Sequence, residues 1–113
     1  MINTLRAIIA IMALIVLSLL LIPVQIVCNA ANMPMKRHLP VLWHRLAARW
    51  IGLKVIRTGE IAPHRPLLIV ANHVSWLDIV SLGFCGPLSF IAKSEVARWP
   101  AFGWLAKLQR TVF

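Results

Sequence analysis

A histidine and an aspartate five residues apart, His73 and Asp78, follow directly on the apolar run Pro66-Leu67-Leu68-Ile69-Val70-Ala71, and Asn72 precedes the histidine. An imidazole beside a carboxylate is the general-base half of a group-transfer site. The carboxylate fixes which ring nitrogen carries the proton, the other nitrogen accepts one, and the imidazolium that forms is stabilised. On one continuous helix five residues turn through about 500°, which leaves the two side chains about 140° apart. The pair can meet only if the helix begins after the histidine. A start at Ser75 places His73 in the preceding turn, where it folds back over the first turn and over Asp78. The chain has no G-x-S-x-G elbow, and Ser75 is better used as a cap than as a nucleophile, so a substrate hydroxyl takes the place of an enzyme serine. The chemistry this predicts is direct transfer to an alcohol. Two other readings stand beside it. Ser75-x-x-Asp78 is also a capping box, which accounts for Asp78 without catalysis, and metal binding is the third, although no metal is expected. His38, His44 and His64 have no partner at such spacing and are read as surface or interfacial.

The elements that must position this pair are legible in outline. Residues 66 to 71 read as a buried strand, and in open α/β sheets ligands bind at the carboxyl edge, where Asn72, His73 and Asp78 stand. Lys54-Val55-Ile56-Arg57 alternates like a strand, Leu88 to Ala92 is a third candidate, and Thr111-Val112-Phe113 begins another. Between them a helix is expected from Ser75 to about Leu82, broken by Gly83, Gly86 and Pro87. Ser94 caps a short helix that Pro100 interrupts, and a further turn or two covers Phe102 to Leu108. The β-turn-α-β order predicts an α/β layer.

The amino-terminal third is different in kind. The chain has 113 residues, 60% of them hydrophobic, and a mean hydropathy of +0.82, with no charge from Ala7 to Val24. Extended to Ala31 past Gln25 and Asn29, this run reaches the roughly twenty apolar residues that a bilayer core demands. A single-pass anchor is expected, kinked or ended by Pro23. Arg6 lies on one side and Lys36, Arg37, Arg45 and Arg49 on the other, which puts the bulk of the chain in the cytoplasm. A cleaved signal peptide, ending near Cys28-Asn29-Ala30-Ala31, and a buried soluble helix stay open. The two cysteines, Cys28 and Cys85, form no framework, as suits a reducing compartment.

Twelve basic against three acidic residues give a net charge of +9, and six of the basic ones fall between Lys36 and Arg57 with no acid among them. Just beyond an apolar span, such a block matches anionic lipid headgroups, at about 1 kcal/mol per charge near the surface. Nucleic acid is not expected as a partner. Trp43, Leu46, Trp50 and Leu53 make one helical stripe, with Arg45 and Arg49 on another face, so this segment either lies on the bilayer or packs its tryptophans on the sheet. The organisation expected is an anchor and hinge over 1–35, a basic amphipathic interfacial helix over 36–53, and the amino-terminal part of a catalytic domain over 54–113.

Written out, Ala71-Asn72-His73-Val74-Ser75-Trp76-Leu77-Asp78 resembles the N-H-x-S-x-x-D form of the H-x-x-x-x-D block of glycerolipid acyltransferases, especially 1-acyl-glycerol-3-phosphate acyltransferases. Phe90-Ile91-Ala92-Lys93-Ser94-Glu95 and Trp99-Pro100-Ala101-Phe102-Gly103-Trp104 resemble the stretch that follows, in which an A-K-x-E segment leads into P-x-x-G. The likeness covers roughly residues 54 to 113. It implies that His73 deprotonates the free hydroxyl of a lysophospholipid such as 1-acyl-glycerol-3-phosphate, with Asp78 orienting it. It further implies that this oxygen attacks an acyl thioester carried on coenzyme A or acyl carrier protein. No bound cofactor is implied. Lys93 corresponds to a lysine that neutralises the substrate phosphate, and Asn72 and Ser75 stand with it as substrate-binding candidates. Two later blocks of the family, one with an Arg soon after a Phe and one resembling E-G-T-R, do not occur in this sequence, which therefore resembles an amino-terminal half. The competing expectation is a non-enzymatic anchored module whose basic segment binds anionic lipid.

Overall fold

The computed structural model describes residues 2 to 113. Helix α1 runs from Ile2 to Ala30, about 43 Å at 1.5 Å per residue. Leu, Ile and Ala supply helix propensity, and the Ser18 hydroxyl is accommodated by donating to Leu14 O one turn back at 2.7 Å. Pro23 is carried inside the helix without ending it. Asn3 to Ala30 is long and apolar enough to cross a membrane, and only 6% of its most apolar stretch is buried by the rest of the chain. Ile8, Ile9, Ile11, Met12, Ile15 and Val16 are all exposed. An uncovered apolar surface of this extent needs lipid or another protein against it.

After a 3₁₀ turn at Pro34–Arg37, helix α2, Leu39–Ile51, returns antiparallel to α1. Its start lies by Gln25 and its middle at Ser18, where the Trp43 indole N–H donates to Oγ at 2.9 Å. Ala47 and Ala48 reach Leu14, and Trp50 stands over Ile8, Ile9 and Met12. Helix α2 ends at Gly52, whose φ of 77° is left-handed, and the Gly52 and Leu53 N–H groups close back onto Ala48 and Arg49 carbonyls. This is the glycine-terminated stop expected of a helix whose last carbonyls need partners.

Helix α3, Leu77–Cys85, packs on the other side of α2. Ala47, Ala48 and Val80 form the buried centre, with Leu14, Trp43, Leu53 and Phe84 around it. The deep face of α2 is Val41, His44, Ala47 and Ala48, not the tryptophan stripe. Because α2 is pressed between α1 and α3, small residues take the line of closest approach and the large ones fill its flanks. His44, expected to be surface or interfacial, is 3% exposed. Its ring lies against Gly83, where a Cβ would stand 2.6 Å from Cγ and Nε2. Gln109 Nε2 hydrogen-bonds the His44 Nε2 at 2.8 Å, and burial lowers the imidazole from 6.5 to about 4. A cavity of about 150 Å³ adjoins the ring, lined also by Ser18, Gln25, Trp43, Leu105 and Leu108.

A 3₁₀ turn at Ser94–Arg98 takes the place of the helix expected from Ser94, and Lys93, not Ser94, precedes it at the cap position. Helix α4 follows at Phe102–Leu108. A Cβ on Gly103 would stand 2.7 Å from the Ala97 carbonyl carbon and 2.8 Å from the Val96 oxygen, so the glycine of the P-x-x-G segment is required by a backbone crossing. Helix α4 is tied to α1 through its last carbonyls: Gln25 Nε2 and Asn29 Nδ2 donate to Leu108 O at 3.3 and 3.0 Å.

The expected α/β layer is not formed among the described residues. Their single β feature is a parallel bridge between Ile91 and Val112, in which Ala92 N–H donates to Val112 O at 2.9 Å and Val112 N–H to Phe90 O at 2.8 Å. Residues 54–57 and 66–71 carry no strand, and Ile56, Leu68 and Val70 are 77, 72 and 86% exposed. A strand of this apolar type is stable only with neighbours completing its ladder and covers on both faces. Here it has neither.

Candidate active site

Helix α3 opens at Leu77, two residues later than the sequence predicts, and its first turn is built by side chains. Asp78 Oδ2 accepts the Val74 N–H at 2.6 Å and the Ser75 N–H at 2.8 Å. Ser75 Oγ accepts the Leu77 N–H at 3.2 Å. These are donors that a helix amino terminus otherwise leaves unsatisfied. The same Asp78 oxygen lies 3.2 Å from His73 Nδ1. With the proton assigned to Nδ1, the imidazole donates to the carboxylate and Nε2 is left as the acceptor.

The pair is open to its surroundings, with the His73 side chain 66% and that of Asp78 32% exposed. Hydrogen bonds from the Ser75 N–H and then the Val74 N–H hold the Asp78 carboxyl below its ordinary value; burial opposes them, and His73 adds a lesser lowering effect. Asp78 therefore stays an acceptor through the neutral range, as orientation of an imidazole requires.

The remaining predicted residues are less gathered. Asn72 is exposed beside His73. Ser75 is engaged as a cap acceptor. Lys93 is exposed, two residues past Ile91 of the Ile91–Val112 bridge, where its carbonyl accepts the Val96 N–H at 3.0 Å. Its side chain makes no hydrogen bond or ion pair among the described residues. Sequence reasoning missed His44 and Gln109, and the signal for the former was Gly83, whose missing Cβ leaves the place the ring occupies.

An acyltransferase family model matches residues 52–113. Lyso-ornithine lipid O-acyltransferase of Rhizobium meliloti (strain 1021) is 48% identical over 113 residues, which is 100% of this chain and 39% of that protein. Its counterpart in Brucella abortus (strain 2308) is also 48% identical over 113 residues, 100% of the chain and 42% of that protein. A 1-acyl-sn-glycerol-3-phosphate acyltransferase of Neisseria meningitidis serogroup B is 49% identical over 70 residues, 60% of the chain and 26% of that protein. The chain thus spans about two fifths of the length of the relatives it matches from end to end. No solved structure matches it. The family match takes in the whole segment from Gly52 that carries Asn72, His73, Asp78 and Lys93, and the chain belongs to the acyltransferase family.

Proposed function

We propose that the chain carries the base half of a lysolipid O-acyltransferase site. His73 Nε2 takes the proton from the free hydroxyl of a lysolipid, and that oxygen forms an ester bond to the carbonyl carbon of an acyl thioester. The carbon–sulfur bond breaks, and the leaving thiolate recovers the proton from the imidazolium. Asp78 holds the Nδ1–H tautomer and stabilises the cation between these steps. The observation that carries this reading is the 3.2 Å approach of His73 Nδ1 to a carboxylate already fixed by two backbone N–H groups. The donor is a thioester of coenzyme A or acyl carrier protein, with no bound cofactor. Helix α1 anchors the protein in a membrane with the site on the cytoplasmic side, and Lys93, Asn72 and Ser75 lie on the acceptor side.

The acceptor proposed first is 1-acyl-glycerol-3-phosphate, whose phosphate Lys93 neutralises. A second acceptor, a lyso-ornithine lipid, is favoured by a specific observation: two relatives of that name match all 113 residues, α1 included, and two more match 80 and 69, whereas the relatives named for the glycerophosphate match 70. Membranes carrying the protein are supplied with acyl thioester and each acceptor in turn, and free thiol is followed. Acceptor-dependent thiol release that His73→Ala abolishes, with membrane association intact, is the expected result; equal release from the two proteins refutes the base assignment. Lys93→Ala weakens apparent affinity for the phosphate-bearing acceptor alone if that acceptor is the correct one.

A further inference from the structure

Two buried polar atoms on different helices stand without partners beside one cavity. Gln25 is 6% exposed and His44 3%, and both line the space of about 150 Å³ walled by α1, α2, α4 and Gln109. The nitrogen of the Gln25 amide is fully engaged, donating to Asn29 Oδ1 and Lys36 O at 3.0 Å and to Leu108 O at 3.3 Å. Three acceptors around one atom identify it as the nitrogen. The other end of the amide, Oε1, is buried and has no hydrogen-bond partner among the described residues.

His44 supplies the complement. Gln109 Nε2 can only donate, so His44 Nε2 accepts from it at 2.8 Å and the neutral ring carries its proton on Nδ1. Burial keeps the ring neutral at ordinary pH by lowering it from 6.5 to about 4. Nδ1 is buried and likewise has no partner among the described residues. Gly83 of α3 faces the Cδ2 side of the ring, with Cγ and Nε2 next, so Nδ1 belongs to the edge turned away from α3. No residue of α3 lines the cavity. Its other polar groups are satisfied: the Trp43 indole donates to Ser18 Oγ at 2.9 Å, and that hydroxyl donates to Leu14 O at 2.7 Å. The rest of the wall is apolar, with Leu21, Ile22, Leu39 and Pro40 on α1 and α2 and Leu105 and Leu108 on α4.

A buried donor and a buried acceptor beside such a wall are costly unless a guest answers both. A hydroxyl does so, because its oxygen accepts from Nδ1–H while its proton goes to Gln25 Oε1. Water is the poorer guest, since each water needs about two to four polar partners, whereas an aliphatic-walled space of this volume takes a benzene-sized ring. No charged side chain lines the cavity, so an ionised ligand would enter without a counter-charge. We propose that the cavity is a binding site for a neutral, compact amphiphile, a six-membered carbon ring bearing one hydroxyl, which bridges His44 Nδ1 and Gln25 Oε1. Neither acyl transfer nor the orientation of α1 in a membrane enters this inference, so it can fail while the proposed function stands.

The test titrates the nitrogen-15-labelled 113-residue chain, in micelles of a neutral detergent, with phenol, anisole and toluene at measured free aqueous concentrations. Ring resonances of the histidines are followed by long-range proton–nitrogen correlation, and thermal unfolding in parallel. Phenol is expected to shift the His44 Nδ1 resonance saturably and to raise the unfolding midpoint, with the exposed rings of His38, His64 and His73 unmoved. It binds at least as tightly as toluene, although water holds phenol back more strongly. Anisole, which keeps the acceptor and lacks the donor, binds at least tenfold more weakly than phenol because Gln25 Oε1 stays unpaired. An affinity order that follows transfer from water, toluene first and phenol last, overturns the polar bridge, and a His44 Nδ1 resonance that none of the three moves overturns the site. Gln25→Met lowers phenol affinity at least tenfold and spares toluene; unchanged phenol affinity refutes the role of Oε1. The Gln25 amide also holds Lys36 O and Leu108 O, so should this variant fail to fold, the ligand order in the wild type decides alone.

Discussion

Gly83→Ala pits two effects of opposite sign against each other, and the structure decides between them. Residue 83 is interior to α3, where Ala is better than Gly by about 1 kcal/mol. Against this, the new Cβ would stand 2.6 Å from His44 Cγ and Nε2, when ordinary contact needs about 3.5 to 4.0 Å. Cδ2 of the ring is nearer still, so the ring must retreat by roughly 1.5 Å to reach ordinary contact or α3 must lift from α2. Overpacking of this kind costs about 1–3 kcal/mol, and the adjoining 150 Å³ cavity gives the ring somewhere to go, which favours the lower end. Moving the ring also stretches its 2.8 Å bond to Gln109, leaving buried polar atoms at a cost of about 1–3 kcal/mol. The balance is a net destabilisation of about 2 kcal/mol, or roughly 8 °C or more in melting temperature for a domain of this size. Near-ultraviolet circular dichroism in neutral detergent measures it. A midpoint equal to or above the wild type would refute the packing argument. In a His44→Ala background the same change should instead stabilise, since only the helix-propensity gain remains.

The pH dependence of folding follows from the same ring. His44 falls from 6.5 to about 4 on burial, so the unfolded chain binds the extra proton first, and about 3 kcal/mol of stability is lost between pH 6.5 and 4; a melting temperature flat across that interval would show the ring to be solvated. Asp78 behaves in the usual carboxylate sense, its contribution being present above its unfolded value of 3.8 and lost as pH falls below that, an acid limb that Asp78→Asn should remove. In turnover, Asp78→Asn lowers the rate about 10²- to 10⁴-fold by replacing the charged carboxylate that fixes the tautomer and stabilises the imidazolium with a neutral amide, and a loss under tenfold would leave the carboxylate only its capping role. Gly103→Ala drives a Cβ into the backbone of Val96 and Ala97, which cannot rotate aside; a cost of about 3 kcal/mol or more is expected by denaturant titration, and tolerance would mean that α4 does not cross there.

What could be read from the sequence was what is settled by near neighbours. Helix α1 announces itself by the absence of charge from Ala7 to Val24, a property no tertiary partner alters. The His73–Asp78 contact was legible because it depends only on where one helix begins, and a start at Leu77 in place of Ser75 still leaves His73 in the turn before it. The strands were not legible in the same way. Alternation at residues 54–57 and the apolar run at 66–71 record a preference, but a ladder is a property of pairs distant in sequence, and only Ile91 and Val112 found each other. For α2 the apolar stripe did not identify the buried face. The hydrophobic stripe through Trp43, Leu46 and Trp50 is real, yet Trp50 is 39% exposed and His44 3%, because a helix with two helical neighbours is placed by its smallest side chains. An imidazole buried there leaves its trace only in Gly83 and Gln109, far along the chain.

The capping and catalytic readings of Asp78 began as rivals, and the geometry makes them compatible, because one oxygen makes both sets of contacts. Three donors converge on Oδ2: two backbone N–H groups and the imidazole nitrogen. The backbone bonds are short-range and form with the first turn of α3, so the carboxylate is in place before any substrate arrives, and His73 is oriented by an acceptor that need not reorganise during proton transfer. Exposure of the ring is then no argument against function. A base that must meet a hydroxyl on an amphipathic lipid has to stand at the surface, and what fixes it in this chain is hydrogen bonding to a rigid helix start, not burial. The cap explains why an aspartate stands at position 78; the proposed base role is what would give the open Nε2 of His73 a use.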